Sequence, residues 1–153
     1  MRTFWRISQF ADLSGDGGLR AAARWHSKGR PIVYLAESPA GAMLERLVHL
    51  PEIDGPLPRT YDLLEVIAPD HLEVRELLPL ADIDWKEHPE MTRRTGDVWL
   101  ASAETALARV PSAIVARTWN ILLNPQHPDV AHLQIASVLQ ERFDNRLFQI
   151  GAR

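Results

Sequence analysis

The feature that most limits what this chain can become is the order in which short runs of β-branched and aromatic residues alternate with two runs of helical periodicity. Thr3-Phe4-Trp5-Arg6-Ile7-Ser8 predicts a strand over 2 to 8, and Ser14-Gly15-Asp16-Gly17-Gly18 predicts a loop, because glycine reaches backbone angles closed to other residues. Ile32-Val33-Tyr34-Leu35 lies within a second predicted strand, 31 to 36. Ser38-Pro39 marks a helix start: the serine can cap free N–H groups, and proline at the first helical position has no N–H to leave unpaired. The helix runs from 39 to about 50, with Met43, Leu44, Leu47, Val48 and Leu50 at core-facing spacing, until Pro51 closes it.

Strands are predicted over 61 to 68, more briefly over 72 to 77, over 110 to 116 and over 133 to 139, with 80 to 88 irregular and 120 to 125 a loop. A long helix is expected between 89 and 109, interrupted or bent near Gly96, with its better half at 97 to 109. The spacing supplies no repeated crossover helices, so the expected class is α+β rather than a doubly wound parallel sheet. No internal repeat or linker divides the 153 residues, which are expected to form one domain, 1 to 153, with regular structure ending near 148.

Charge and composition remove several functions. Seventeen Lys and Arg against twenty Asp and Glu leave a formal charge of -3, so no basic field gathers nucleic acid. The absence of cysteine excludes disulfides, thiolate nucleophiles and Cys-ligated zinc, and suits the cytosol. No apolar stretch approaches the roughly 20 residues of a membrane span, and residues 1 to 10 carry no signal-type apolar core. The six histidines show no metal-binding spacing, and the glycine loop matches neither a P-loop nor a dinucleotide fingerprint.

A few residues remain as candidates for chemistry. Glu45 stands beside Met43, Leu44 and Leu47, where a carboxylate costs free energy unless partnered; the bland alternative is an edge position paired with His49. Arg20, Arg24 and Arg30 surround Trp25, Tyr34 and the glycine loop, a grouping suited to phosphates flanked by an aromatic surface, although Arg20 and Arg30 also read as solvated charge. Ser112 in Val-Pro-Ser-Ala lacks the elbow that exposes a serine nucleophile, and a hydrogen-bonding strand residue is the simpler reading.

The stretch 17 to 49, with Ala-Arg-Trp at 23 to 25 and Met-Leu-Glu-Arg-Leu-Val-His at 43 to 49, resembles the RES-domain family, as do Val-Pro-Ser-Ala from 110 and Trp-Asn-Ile-Leu-Leu-Asn-Pro-Gln-His-Pro from 119. The arginine, glutamate and serine for which the family is named look like Arg24, Glu45 and Ser112, and Tyr34 matches its tyrosine. The resemblance runs from Trp5-Arg6 to Arg146-Leu147-Phe148, and departs from the family at Ala23, usually glycine, and at His26, often asparagine.

The resemblance implies a bacterial toxin of a toxin–antitoxin pair with an ADP-ribosyltransferase-like fold, degrading NAD by hydrolysis or phosphorolysis. It implies NAD as substrate with no resident cofactor or metal, an Xre-type helix-turn-helix antitoxin as partner, a homodimer, and a cytoplasmic location. In that frame Glu45 stabilises positive charge on the ribose, Arg24 holds the pyrophosphate, Tyr34 packs on nicotinamide and Ser112 orients nicotinamide or ribose. Asn120 is a further contact, with Arg6, His49 and Asn124 behind the site or simply structural. Two rivals stand beside this reading: transfer of ADP-ribose to a macromolecule, and a non-enzymatic partner module whose Arg24 and Glu45 form a buried ion pair.

Overall fold

Apolar residues alternating along short extended runs bury themselves by pairing side by side, and here they do so in one sheet. In the computed structural model, which describes residues 1–50, 55–79 and 84–149, seven strands form one mixed sheet. They are β1 (Arg2–Ile7), β2 (Val33–Ala36), β3 (Thr60–Ala68), β4 (Val74–Glu76), β5 (Leu107–Pro111), β6 (Trp119–Leu123) and β7 (Gln134–Arg142), in the order β4-β5-β6-β2-β1-β3-β7. All pairs are antiparallel except the β4–β5 edge. Helices α1 (Gly17–Arg20), α2 (Pro39–His49) and α3 (Pro89–Ser102) complete the α+β architecture expected from the order of elements.

Register decides which residues share a face. Trp5 lies opposite Ala36, Ala36 opposite Asn120, and Asn120 opposite Val110, while Tyr34 lies opposite Leu122. Since side chains two apart on a strand point the same way, Tyr34, Ala36, Val110, Asn120 and Leu122 occupy one face. Leu122, Val110 and Ala108 pack there with Trp25, Trp99 and Leu100, and Tyr34 joins them from the margin. The opposite face holds the other core, built on Phe4, Val33, Leu35, Val66, Leu107, Ile121 and Leu123.

α2 begins as the sequence suggests: Ser38 Oγ accepts the Gly41 amide at 3.0 Å, with Pro39 at the first turn. Gly41 brings the helix against the Cβ of Ala36, so α2 lies over the sheet face that carries Asn120.

Four expectations need correction. The second long helix does not reach 109; it stops at Ser102, where Ala103 turns left-handed at φ 49° and its N–H caps the Trp99 carbonyl. Residues 107 to 109 are strand instead, because Leu107 fills one core and Ala108 the other while the strand pairs with β4 and β6. The helix is also continuous through Gly96. That glycine serves a close approach: a Cβ there would sit 1.7 Å from the Trp25 carbonyl oxygen.

The loop expected at 120 to 125 is the central strand β6, paired on both sides; Asn120 and Pro125 suggested a turn, but Ile121, Leu122 and Leu123 are almost wholly buried. The strand expected over 110 to 116 ends at Pro111 and yields to a turn held by Ser112. Part of the irregular segment expected over 80 to 88 lies outside the described residues; Trp85–Glu87 forms a single 3-10 turn. Among the described residues no helix is long and apolar enough to cross a membrane.

Candidate active site

Three of the sequence candidates meet at one point. Asn120 Nδ2 donates to Glu45 Oε1 at 2.7 Å, and Ser112 Oγ approaches the same oxygen at 3.4 Å. They come from separate elements: Glu45 from the middle of α2, Asn120 from β6, Ser112 from the residue after β5. Their meeting follows from the pairing of Val110 with Asn120, which places the end of β5 beside Asn120 under the helix.

The contacts differ in strength. An amide N–H on a carboxylate at 2.7 Å is a short charge-assisted bond, whereas 3.4 Å is at the outer limit for a hydroxyl. Ser112, 6% exposed, spends its oxygen mainly on the turn, accepting the Ile114 amide at 3.1 Å and the Val115 amide at 3.3 Å. Asn120 Oδ1 is buried with no hydrogen-bond partner among the described residues. Glu45 Oε2 likewise makes no hydrogen bond there, so one carboxylate oxygen is anchored and the other is open.

Tyr34 lies on the same face, diagonal to Asn120 across the β2–β6 pair. Its hydroxyl is engaged away from Glu45: it accepts the Trp25 amide at 3.2 Å and stands 2.8 Å from His26 Nδ1. Burial drives the phenol pKa well above its ordinary value, with the negative charges of Asp97 and Glu45 adding to the rise. Tyr34 is therefore a neutral ring and no base.

Arg24 belongs to a segment clamped onto α3. Thr92 Oγ1 donates to the Arg24 carbonyl at 2.5 Å, Arg93 Nε donates to the Ala23 carbonyl at 2.8 Å, and Asp97 accepts the Ser27 amide at 2.9 Å and its hydroxyl at 2.6 Å. The guanidinium is half-exposed, donating to the Lys86 carbonyl at 3.0 Å and lying 5.7 Å from the centre of the Trp85 ring. It forms no ion pair with Glu45, whose partners are Asn120 and Ser112, so the buried pair required by the non-enzymatic rival is absent.

The other arginines separate. Arg30 is bound to Asp97 at 3.2 Å, and Arg20 is exposed at the end of α1. Arg6 donates to the Asp12 carbonyl at 3.0 Å and lines a different concavity of about 420 Å³. A second concavity of about 440 Å³, between Ser27, Arg30 and α3, also excludes Glu45. Asn124 is consumed structurally, donating to Leu100 and accepting from Gln126. Among the described residues no cluster of three or more His, Asp or Glu side chains could hold a metal.

Sequence reasoning passed over two residues here. Trp85 lies under Arg24 although 60 residues separate them in the chain, and nothing local signals it. His26 did carry a signal, a histidine directly after Arg-Trp, but its significance depends on where Tyr34 ends.

Comparison with known proteins bears on the family and the fold. The RES domain family model matches residues 3–145. The chain is similar to Toxin Res of Pseudomonas putida, 49% identical over 147 residues covering 94% of this chain and 98% of the relative. It is also similar to the Prs ADP-ribosylating toxin of a Sphingobium species, 36% identical over 163 residues covering 96% and 97%. In fold it matches a chain of the M. tuberculosis MbcT-MbcA toxin-antitoxin complex with a TM-score of 0.69 at 19% identity, covering 97% of this chain and 87% of that one.

Proposed function

The chain belongs to the RES-domain family, and from that premise we propose that it is the toxin of a toxin–antitoxin pair and cleaves the bond between nicotinamide and ribose in NAD. The observation that carries this reading is the Glu45 carboxylate, gripped at Oε1 by Asn120 and open at Oε2 on a face shared with Tyr34. As the C1′–N1 bond breaks, its electron pair neutralises the pyridinium and positive charge moves onto the ribose. A fixed carboxylate against that ribose favours the transition state over the ground state, and one already anchored need not reorganise.

In this assignment Glu45 faces the ribose, the Tyr34 ring lies against nicotinamide, Ser112 orients the departing end and Arg24 holds the pyrophosphate beside Trp85. Asn120 keeps Glu45 in place. A water or phosphate oxygen then bonds to C1′, losing its proton to solvent, and ADP-ribose or its phosphate leaves. The toxin names of the relatives and the toxin-antitoxin title of the structural match support an antitoxin partner, for which we retain the Xre-type helix-turn-helix class, with the toxin a homodimer.

The name of the Sphingobium relative favours a second reading, transfer of ADP-ribose to a protein. Incubating purified protein with NAD, with and without phosphate, and weighing the products decides between them. Free nicotinamide with ADP-ribose or its 1″-phosphate supports cleavage to a small acceptor. Release that requires added target protein, with the ADP-ribose mass on that protein, supports transfer, and no nicotinamide with or without phosphate and with or without added protein overturns both.

A further inference from the structure

His26 is 3% exposed, and both of its ring nitrogens are engaged. Nε2 lies 2.8 Å from the Ala21 carbonyl oxygen, which can only accept, so Nε2 carries the ring proton. In the neutral ring Nδ1 is then a lone pair, and at 2.8 Å it takes the Tyr34 hydroxyl proton. The hydroxyl oxygen in turn accepts the Trp25 amide. Every hydrogen-bonding capacity at that end of Tyr34 is committed to the protein, apart from one lone pair.

The residues around the ring favour the neutral form. Burial is the main cause that lowers the His26 pKa, and Arg93 of α3 adds to it; Asp97 of α3 and the carbonyls of Ala21 and Gly18 oppose it. His26 and Tyr34 also sit ring to ring, with centroids 5.6 Å apart and planes tilted by 53°. The loop that carries His26 is pinned to α3 on both sides of it, through Arg24 and Ser27.

We propose that His26 is the positioning residue of this site, its neutral imidazole holding Tyr34 by the hydroxyl so that the phenol serves substrate as a fixed flat ring and never as a proton donor. The inference rests on the NAD reading for what the ring meets, and on the hydrogen bonds alone for the lock. A second consequence concerns pH. Protonation at Nδ1 turns an acceptor into a donor, so the bond reverses onto the remaining lone pair of the hydroxyl, whose own proton then loses its acceptor, and the hold on the ring weakens as pH falls through the His26 pKa.

Two measurements on the full chain test it. First, ¹⁵N NMR of the His26 ring should show the Nε2–H tautomer, and Tyr34→Phe should raise the His26 pKa because a bond to the neutral form is lost. An Nδ1–H tautomer, or a titration unmoved by Tyr34→Phe, overturns the lock. Second, NAD cleavage should fall about 10-fold in kcat/KM in His26→Leu and in Tyr34→Phe, the scale of a misplaced substrate contact, with the double variant no worse than either.

His26→Gln, whose amide can donate to Ala21 and accept from Tyr34, should recover most of the loss; His26→Leu that does not fold leaves this comparison with wild type in force. Folded His26 variants with wild-type kcat, KM and pH profile overturn the positioning role. Wild-type protein that releases no nicotinamide overturns the NAD reading instead, and the NMR titration then decides the lock by itself.

Discussion

Asn120 on β6 grips Glu45 on α2 through one carboxylate oxygen, at 2.7 Å, across a gap of 75 residues in the chain. The bond joins the helix to the middle of the sheet and leaves Oε2 as the only oxygen of Glu45 free to meet a ligand among the described residues. If that fixed charge is what acts, neutralising it should abolish activity while leaving the scaffold intact.

Glu45→Gln is therefore expected to keep the melting temperature within a few degrees and to lose NAD cleavage by about 100-fold or more in kcat, the usual scale for removing one preorganised electrostatic contact. Nicotinamide release followed by chromatography, with thermal melting alongside, checks it. Full activity in a folded Glu45→Gln protein rules out the assigned role.

Asn120→Ala frees Glu45 to change rotamer, so kcat should fall about 10-fold with KM little changed. Asn120→Asp should be worse than alanine, because it sets a like charge against the carboxylate. Steady-state kinetics of the two variants give the ranking, and an Asp variant more active than the Ala variant contradicts the anchoring role.

Arg24→Ala removes a guanidinium whose backbone neighbours stay pinned by Thr92, Arg93 and Asp97. The fold should persist while KM for NAD rises about 10-fold, as expected for one charge-assisted contact to phosphate. An unchanged KM moves the phosphate contact to another residue.

Gly96→Ala places a Cβ 1.7 Å from the Trp25 carbonyl, a backbone atom that cannot step aside alone. The clash should cost about 3 kcal/mol, the upper part of the overpacking range, or roughly 10 °C in melting temperature for a chain of this size. A melting curve that superposes on wild type means that α3 and the Arg24 segment are less tightly apposed than described.

The buried, neutral His26 links stability to pH. Its pKa in the folded protein lies below the ordinary 6.5, so below that pH the unfolded chain binds a proton that the folded one resists, and unfolding is favoured. Stability should be full above 6.5 and decline as pH drops from there toward the folded pKa. Denaturant titrations between pH 7 and pH 5 should show a flatter decline for His26→Gln than for wild type; parallel declines disprove the linkage.

Local sequence determined much of this protein. Ser38-Pro39 set the start of α2, alternating apolar residues set β1 and β3, and the residues Arg24, Tyr34, Glu45 and Ser112 stood out with the motifs that carry the family resemblance. These are properties of neighbouring residues, governed by capping, backbone sterics and periodicity.

What required the folded chain were the relationships between distant segments. Ile121-Leu122-Leu123 is a loop or a strand according to whether partners exist on both sides, and β5 and β2 supply them. Gly96 marks a bend or a close contact according to whether Trp25 lies against it. His26 matters because Tyr34 returns to it, and Asn120 because Glu45 does. Hydrogen bonding and packing are satisfied in space and not along the chain, so residues 8 and 75 positions apart acquire their roles only when the sheet register brings them together.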